Sequence, residues 1–314
     1  MTHQAPSAQQ PTDNRQVPEA TARLMRSATY ASVGVALVLI VTKFAAWLST
    51  DSVSLLSTLI DSLLDAAASL INLLAVRHAL QPADREHRFG HGKAEPLAGL
   101  AQSAFISGSA VFLLIEAGQR LFRPQAIDNT DLGIAVMILS IALTLVLVLY
   151  QKYVIRRTQS VAIGADSLHY QADLLVNAGV IVSLLLSSQL GWSLADPLFA
   201  GAIAAYIVWG AWQIGMESLN LLMDRELPDE ERARIKEIAM DQPGVLDVHD
   251  MRTRSSGNQV FIQLHVEMDG RQNLRAAHDI AERVMLAVEA AYPEADVLVH
   301  QDPDGIEERR LRYD

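Results

Sequence analysis

Asp61 and Asp65 stand four residues apart in one apolar run, SVSLLSTLIDSLLDAAASLINLLAV, and His169 and Asp173 stand four apart in another, GADSLHYQADLLVNAGVIVSLLL. Four residues is about one helical turn, so each pair projects from one face of its helix. A carboxylate near the centre of a bilayer costs about 2.5–3.5 kcal/mol. Three carboxylates and an imidazole are tolerated there only if they gather around something positive. Two such pairs on facing helices supply four ligands, the number a tetrahedral metal site takes. Asn177, one turn beyond Asp173, extends the same polar stripe as a supporting or packing residue.

The donor set narrows the cation. The chain has no cysteine, which excludes thiolate sites, disulfides and cysteine nucleophiles. Carboxylate and imidazole together suit Zn²⁺, Fe²⁺, Mn²⁺, Co²⁺ or Cd²⁺ and suit Cu⁺ poorly. Metal binds only to deprotonated ligands, and an imidazole titrates near neutral pH. Metal and protons therefore compete for one site. With no GxxxxGK[ST] loop to bind ATP, that competition points to a metal/proton antiporter, with His169 as the proton handle.

The elements that must position these residues are six apolar segments, at about 29–49, 53–79, 97–119, 131–152, 161–188 and 195–219. Each is near or above the ~20 residues that span a hydrocarbon core. Basic residues in the connectors set the orientation. Arg15, Arg23, Arg26, Arg77, Arg85, Arg88, Lys93, Lys152, Arg156 and Arg157 fall on one side, against Arg120 and Arg123 on the other. This puts both termini in the cytoplasm. Trp47, Trp192, Trp209 and Trp212 sit near segment ends, as interfacial tryptophans do. Residues 1–22 are Gln-, Pro- and Ala-rich without an apolar run; they read as a disordered extension rather than a signal peptide.

Composition changes after Leu222. The transmembrane domain is expected over 23–222, a cytoplasmic domain over 223–304 and a short charged tail over 305–314. From Asp224 onward 21 acidic residues face 12 basic ones, so nine of the net eleven negative charges lie there. Such a domain repels nucleic acid and attracts cations. Its pattern is helix, two strands, helix, strand: DEERARIKEIAMDQ stopped at Pro243-Gly244, VLDVHDMRTR and NQVFIQLHVEMD turning at Ser256-Gly257, a helix over 273–291, and ADVLVHQD. In the second strand Val260, Ile262, Leu264, Val266 and Met268 face inward, while Gln263, His265 and Glu267 face outward. The fold class is an all-α bundle of six transmembrane helices plus a C-terminal ferredoxin-like αββαβ domain.

Two further clusters could hold metal. The loop PADREHRFGHGKAEP carries Asp84, His87 and His91 among flexible glycines. The C-terminal domain carries His249, His265, His278 and His300, with Asp302 sharing a strand face with His300.

The motifs DSLLD, PADREHRFGHGKAEPLA, DSLHYQAD, LMDREL, HDMRTRSSG and VHQDP resemble those of the cation diffusion facilitator family, over about residues 22–304. By that resemblance Asp61, Asp65, His169 and Asp173 form the transported-ion site, and Asp84, His87 and His91 a loop site. His249, His265 and Asp302 hold one ion of a binuclear site; His278, His300 and Asp302 hold the second, with Asp302 bridging and Gln301 close by. Lys93 and Asp224 match residues that pair near the membrane surface. Seven of the nine histidines thus fall on ligand positions. The family is homodimeric, its cytoplasmic domains pressed together by metal. The N-terminal extension and Arg85-Glu86 within the loop depart from the pattern.

The expectation is a homodimeric, multi-pass inner-membrane exporter, not an enzyme. It carries Zn²⁺, with Fe²⁺, Cd²⁺ and Co²⁺ as further cargo, against protons. Zn²⁺ also serves as a structural or regulatory ion, and the partners are a second copy, lipid, divalent metal and protons, with no nucleic acid. One rival is a membrane-anchored divalent-metal sensor without transport, which leaves the intramembrane carboxylates without a task. Another is an intramembrane metallohydrolase, which lacks HExxH and an open coordination position.

Overall fold

The computed structural model describes residues 17–51, 53–122, 131–190, 195–257 and 259–306. His3, most of the N-terminal extension, Arg123, Trp192 and the end of the charged tail lie outside the described residues. Contacts divide the chain into two compact units, one over Glu19–Arg225 and the other over Glu226–Ser255 and the chain from Gln259.

The first unit consists of six long helices: α1 (Glu19–Thr50), α2 (Val53–Ala79), α3 (Ala94–Phe122), α4 (Asp131–Thr158), α5 (Val161–Leu190) and α6 (Ala195–Leu222). Five of them contain a stretch long and apolar enough to cross a membrane. The remaining helix, α5, has comparable length but carries Asp166, His169 and Asp173. Several helices outrun the apolar segments that announce them. Hydropathy marks only the length that suits lipid, whereas the backbone stays helical into the polar ends. α1 begins ten residues early, at Glu19, where a Glu19–Arg23 ion pair spans its first turn. α4 runs on through Lys152, Arg156 and Arg157, cations that favour a helix C-terminus.

The outer surface of this unit is apolar: Val41, Leu48, Phe112, Val146, Trp209 and Trp212 are all exposed. Small and polar residues occupy the interior, including Ser32, Ser69, Asn72, Gln102, Ser103, Gln151 and Ser218. Lipid removes the need to hide large apolar groups, so helix contacts form instead where backbones approach closely. At Gly99 on α3 a Cβ would stand 2.6 Å from Ser218 Oγ on α6. At Gly210 on α6 a Cβ would stand 2.8 Å from a Leu168 methyl on α5. A buried acid on α3, Glu95, faces the start of α5 at Ser160, Val161 and Ala162. A carboxylate at that end favours the helix dipole.

The second unit contains α7 (Asp229–Met240), β1 (Asp247–Ser256), β2 (Gln259–Met268), α8 (Leu274–Ala291) and β3 (Ala295–Pro303). This is the expected order of elements. The sheet runs β1-β2-β3, with β2 and β3 parallel. Its core gathers Ile235 from α7, Val248, Ile262, Leu264, Val266 and Val297 from the strands, and Ile280, Val284 and Val288 from α8. The alternation read along the second strand holds: Ile262, Leu264, Val266 and Met268 are buried and Gln263 is exposed. α8 starts at Asn273, whose side chain accepts from the Ala276 N–H at 3.0 Å.

β1 is less regular. Val248 and Met251 both meet the core although three residues apart, which simple alternation does not permit. Between them Asp250 adopts φ +41°, a left-handed backbone that shifts the phase of the strand. Asp tolerates this region better than most residues; a β-branched side chain does not. Asp250→Val is therefore expected to destabilise the second unit by about 1–2 kcal/mol, seen as a lower thermal midpoint of the full-length protein. Asp250→Gly should fold with no comparable loss.

Candidate metal centres

The intramembrane site forms where α2 meets α5. His169 Nε2 lies 2.9 Å from Asp65 Oδ1 and 3.9 Å from Asp173 Oδ2. Ligand atoms of Asp65, His169 and Asp173 all fall within 4.8 Å of one another. One imidazole nitrogen thus faces two carboxylates, a cluster of oxygen and nitrogen donors among apolar helices. The rings of Phe105 and Tyr170 flank the imidazole, at 6.1 and 5.7 Å between centroids. Asp61 is exposed one turn before Asp65 on the same helix and does not belong to this close set of three.

One turn before His169, Asp166 ties the bundle together. Its Oδ2 accepts from Ser32 Oγ on α1 at 2.6 Å and from Gln151 Nε2 on α4 at 2.7 Å. Its Oδ1 accepts from Ser69 Oγ on α2 at 3.2 Å and Gln102 Nε2 on α3 at 3.5 Å. The Tyr170 hydroxyl joins the network through Ser69, 2.9 Å away. Five helices therefore share one buried carboxyl, and the helix that bears His169 and Asp173 is clamped directly beneath them. Sequence reading passed over Asp166, though the i, i+3, i+7 run of Asp166, His169 and Asp173 in DSLHYQAD was the available signal.

Lys43 is a second residue that sequence reading missed. It interrupts an apolar stretch of α1, and its Nζ donates to Ser62 Oγ at 2.6 Å and to the Thr58 carbonyl at 3.2 Å, both on α2. A lone ionisable residue in such a run was the signal.

The loop site is gathered by a tight turn. Asp84 Oδ1 accepts from the backbone N–H of His87 at 2.6 Å and of Glu86 at 2.9 Å. These donors, that of His87 foremost, hold the Asp84 carboxyl below the usual carboxylate range. His87 Nδ1 and His91 Nε2 stand 3.4 and 3.3 Å from it. The second nitrogen of buried His91, Nδ1, has no hydrogen-bond partner among the described residues. His78, read from sequence as a solvated helix end, packs its ring edge-on against His91 at 4.6 Å. Nearby, Lys93 pairs with Asp224 at 2.9 Å and approaches the Leu222 carbonyl at 3.4 Å, where its charge suits the end of α6.

In the second unit, sheet register builds the site. Parallel pairing sets His265 opposite His300 and Glu267 opposite Asp302. Asp302 Oδ2 stands 2.8 Å from His265 Nδ1 and 3.1 Å from His249 Nε2, while His300 Nε2 lies 3.1 Å from Oδ1. Asp302 Oδ1 is buried without a hydrogen bond of good geometry among the described residues. A buried carboxylate oxygen left over among three imidazoles fits a bound cation. Asp247 and Glu267, not singled out from sequence, gather with His249 on its other side. His278 lies exposed on α8 and is not among the clustered residues.

A family model described as the cation efflux transmembrane domain matches residues 29–223, and one described as the cation efflux protein cytoplasmic domain matches 227–304. A protein named cation-efflux pump FieF from Shewanella oneidensis is 50% identical over 283 residues, 90% of this chain and 95% of the relative. The protein of the same name from Serratia proteamaculans is 50% identical over 285 residues, 91% and 95% of the two chains. A solved structure titled as the zinc form of the putative zinc transporter CzrB aligns with 27% of this chain and 99% of its own, at 29% identity and a TM-score of 0.25.

Asp166→Ala is expected to lower the stability of the detergent-solubilised protein by about 2–3 kcal/mol, because buried donors lose their acceptor. A thermal midpoint unchanged from native would contradict the clamp. Asp302→Ala should remove metal binding from the second unit, read as a lower Zn²⁺ stoichiometry of the full-length protein at equilibrium dialysis. Stoichiometry equal to native would place the metal elsewhere.

Proposed function

The chain belongs to the cation efflux family, and on that premise we propose that it exports Zn²⁺ from the cytoplasm in exchange for protons, as a homodimer in the inner membrane with both termini cytoplasmic. Fe²⁺, Cd²⁺ and Co²⁺ are further candidate cargo, since the donors are oxygen and imidazole nitrogen throughout. The observation that carries the reading is the convergence of Asp65 and Asp173 on one nitrogen of His169 inside a unit of apolar helices. Asp61, one turn from Asp65, supplies the fourth ligand of a tetrahedral set by turning its side chain into the same space.

The exchange follows from the ligands. Bound metal needs Asp61, Asp65 and Asp173 ionised and His169 neutral at Nε2. Without metal the same groups cannot all stay charged and unpaired in a low-dielectric region, so protons take the cation's place. One side of the membrane therefore sees metal leave as protons arrive. His249, His265, His300 and Asp302 fit a resident cation, and His278 joins them as the side chains close around it. That ion would cross-link strands and favour pairing of two copies. Asp84, His87 and His91 would hold a weaker ion in the loop.

A sensor that binds metal without moving it is the second reading. It is supported by the independent donor cluster of the second unit, and predicts metal-dependent dimerisation with no flux.

In proteoliposomes, vesicles with an acidic interior should accumulate Zn²⁺ from a neutral medium, because protons leave as metal enters. Dissipating the gradient should slow uptake severalfold. Asp173→Ala should reduce uptake to that of empty vesicles. Native protein that passes no Zn²⁺ under any gradient would favour the sensor.

A further inference from the structure

Lys43 stands in VLIVTKFAAW, where an ammonium is costly unless it meets opposite charge. Its partners on α2 are Ser62 Oγ and the Thr58 carbonyl, at 2.6 and 3.2 Å, on the turns that also carry Asp61 and Asp65. Asp173 joins those two acids through His169, whose Nε2 faces both Asp65 and Asp173. These are the three acids of the transport site. Lys43 cannot ligate the cargo, because an ammonium has three donors and no lone pair. It can act on the ion only through its charge.

The balance of charge gives that action a purpose. With the three acids ionised, as metal binding requires, and the imidazole neutral, the ligands present three negative charges. The ammonium leaves a net two, the complement of a divalent cation. Without it the site would hold a dication with one negative charge in excess, in a region where charges attract strongly. A carrier needs to release what it binds. Asp166 is a further acid one turn away, but it has its own donors on four helices and is the same in every variant compared below.

We propose that Lys43 is a fixed countercharge of the transport site, which lowers its affinity for divalent metal to a level that permits release and matches its charge to a dication. The inference rests on the transport-site reading above, and the two can fail separately.

The test titrates full-length protein in lipid nanodiscs with Zn²⁺ alone, taking the intramembrane contribution as the difference from Asp173→Ala. Lys43→Gln removes the charge and keeps a donor for Ser62. Its intramembrane Kd is expected to fall by about tenfold or more. Lys43→Arg, which restores the charge, should return Kd towards native. In proteoliposomes Lys43→Gln should lower KM and kcat together, the pattern of an ion held too tightly. Lys43→Met gives the same reading if the Gln variant is not monodisperse. A Kd for the neutral variants equal to or weaker than native overturns the role of Lys43 and leaves the site intact. Asp173→Ala that binds Zn²⁺ as native does would remove the site itself, and the countercharge with it.

Discussion

Ionised groups in a medium that cannot solvate them must neutralise one another, and the membrane unit is organised around that constraint. Asp65 and Asp173 meet at His169 Nε2. Lys43 reaches across from α1 to the turns of α2 that bear Asp61 and Asp65. Asp166 is enclosed by hydroxyl and amide donors from four other helices. Each arrangement solves the same problem differently: by imidazole, by ammonium, by neutral dipoles. Only the first two leave negative charge without a full set of neutral donors. The third has its lone pairs taken up, and so serves to hold helices together.

The division of labour along α5 follows. One turn of this helix carries the clamp at Asp166 and the next two carry His169 and Asp173. A base of hydrogen bonds beneath His169 and Asp173 fixes where the imidazole points. Close approach of backbones at Gly99 and Gly210 lets α6 pack against α3 and α5 without large side chains between them. Lipid supplies little drive for helix association, so contacts of this kind and buried hydrogen bonds do that work.

The second unit gathers its donors by different means. Strand register puts His265 beside His300 and Glu267 beside Asp302, and the left-handed residue Asp250 shifts the phase of β1 next to His249. Three imidazoles therefore surround a carboxylate whose second oxygen is buried without a good hydrogen bond among the described residues. The loop site rests instead on a turn, in which two backbone N–H groups orient Asp84 towards two histidines. Three donor clusters thus arise from a helix pair, a sheet register and a turn.

Much of this was legible in the sequence, because the rules that reveal it are periodic. A spacing of four puts Asp61 with Asp65 and His169 with Asp173 on single helix faces, and alternation in β2 separates core from site. Apolar length announces the bundle, and missing cysteines restrict the donors. What spacing cannot show is which faces meet. Lys43 is 22 residues from Asp65 in the chain, and nothing local says that α1 turns it towards α2. Asp166 looked like one more polar residue until four helices closed on it, and Glu267 joined His249 only through the sheet. Sequence by itself determined which groups were too costly to stand alone in the membrane. Tertiary structure decided which of them compensate each other, because electrostatic pairing acts over a few ångströms of space and not along the chain.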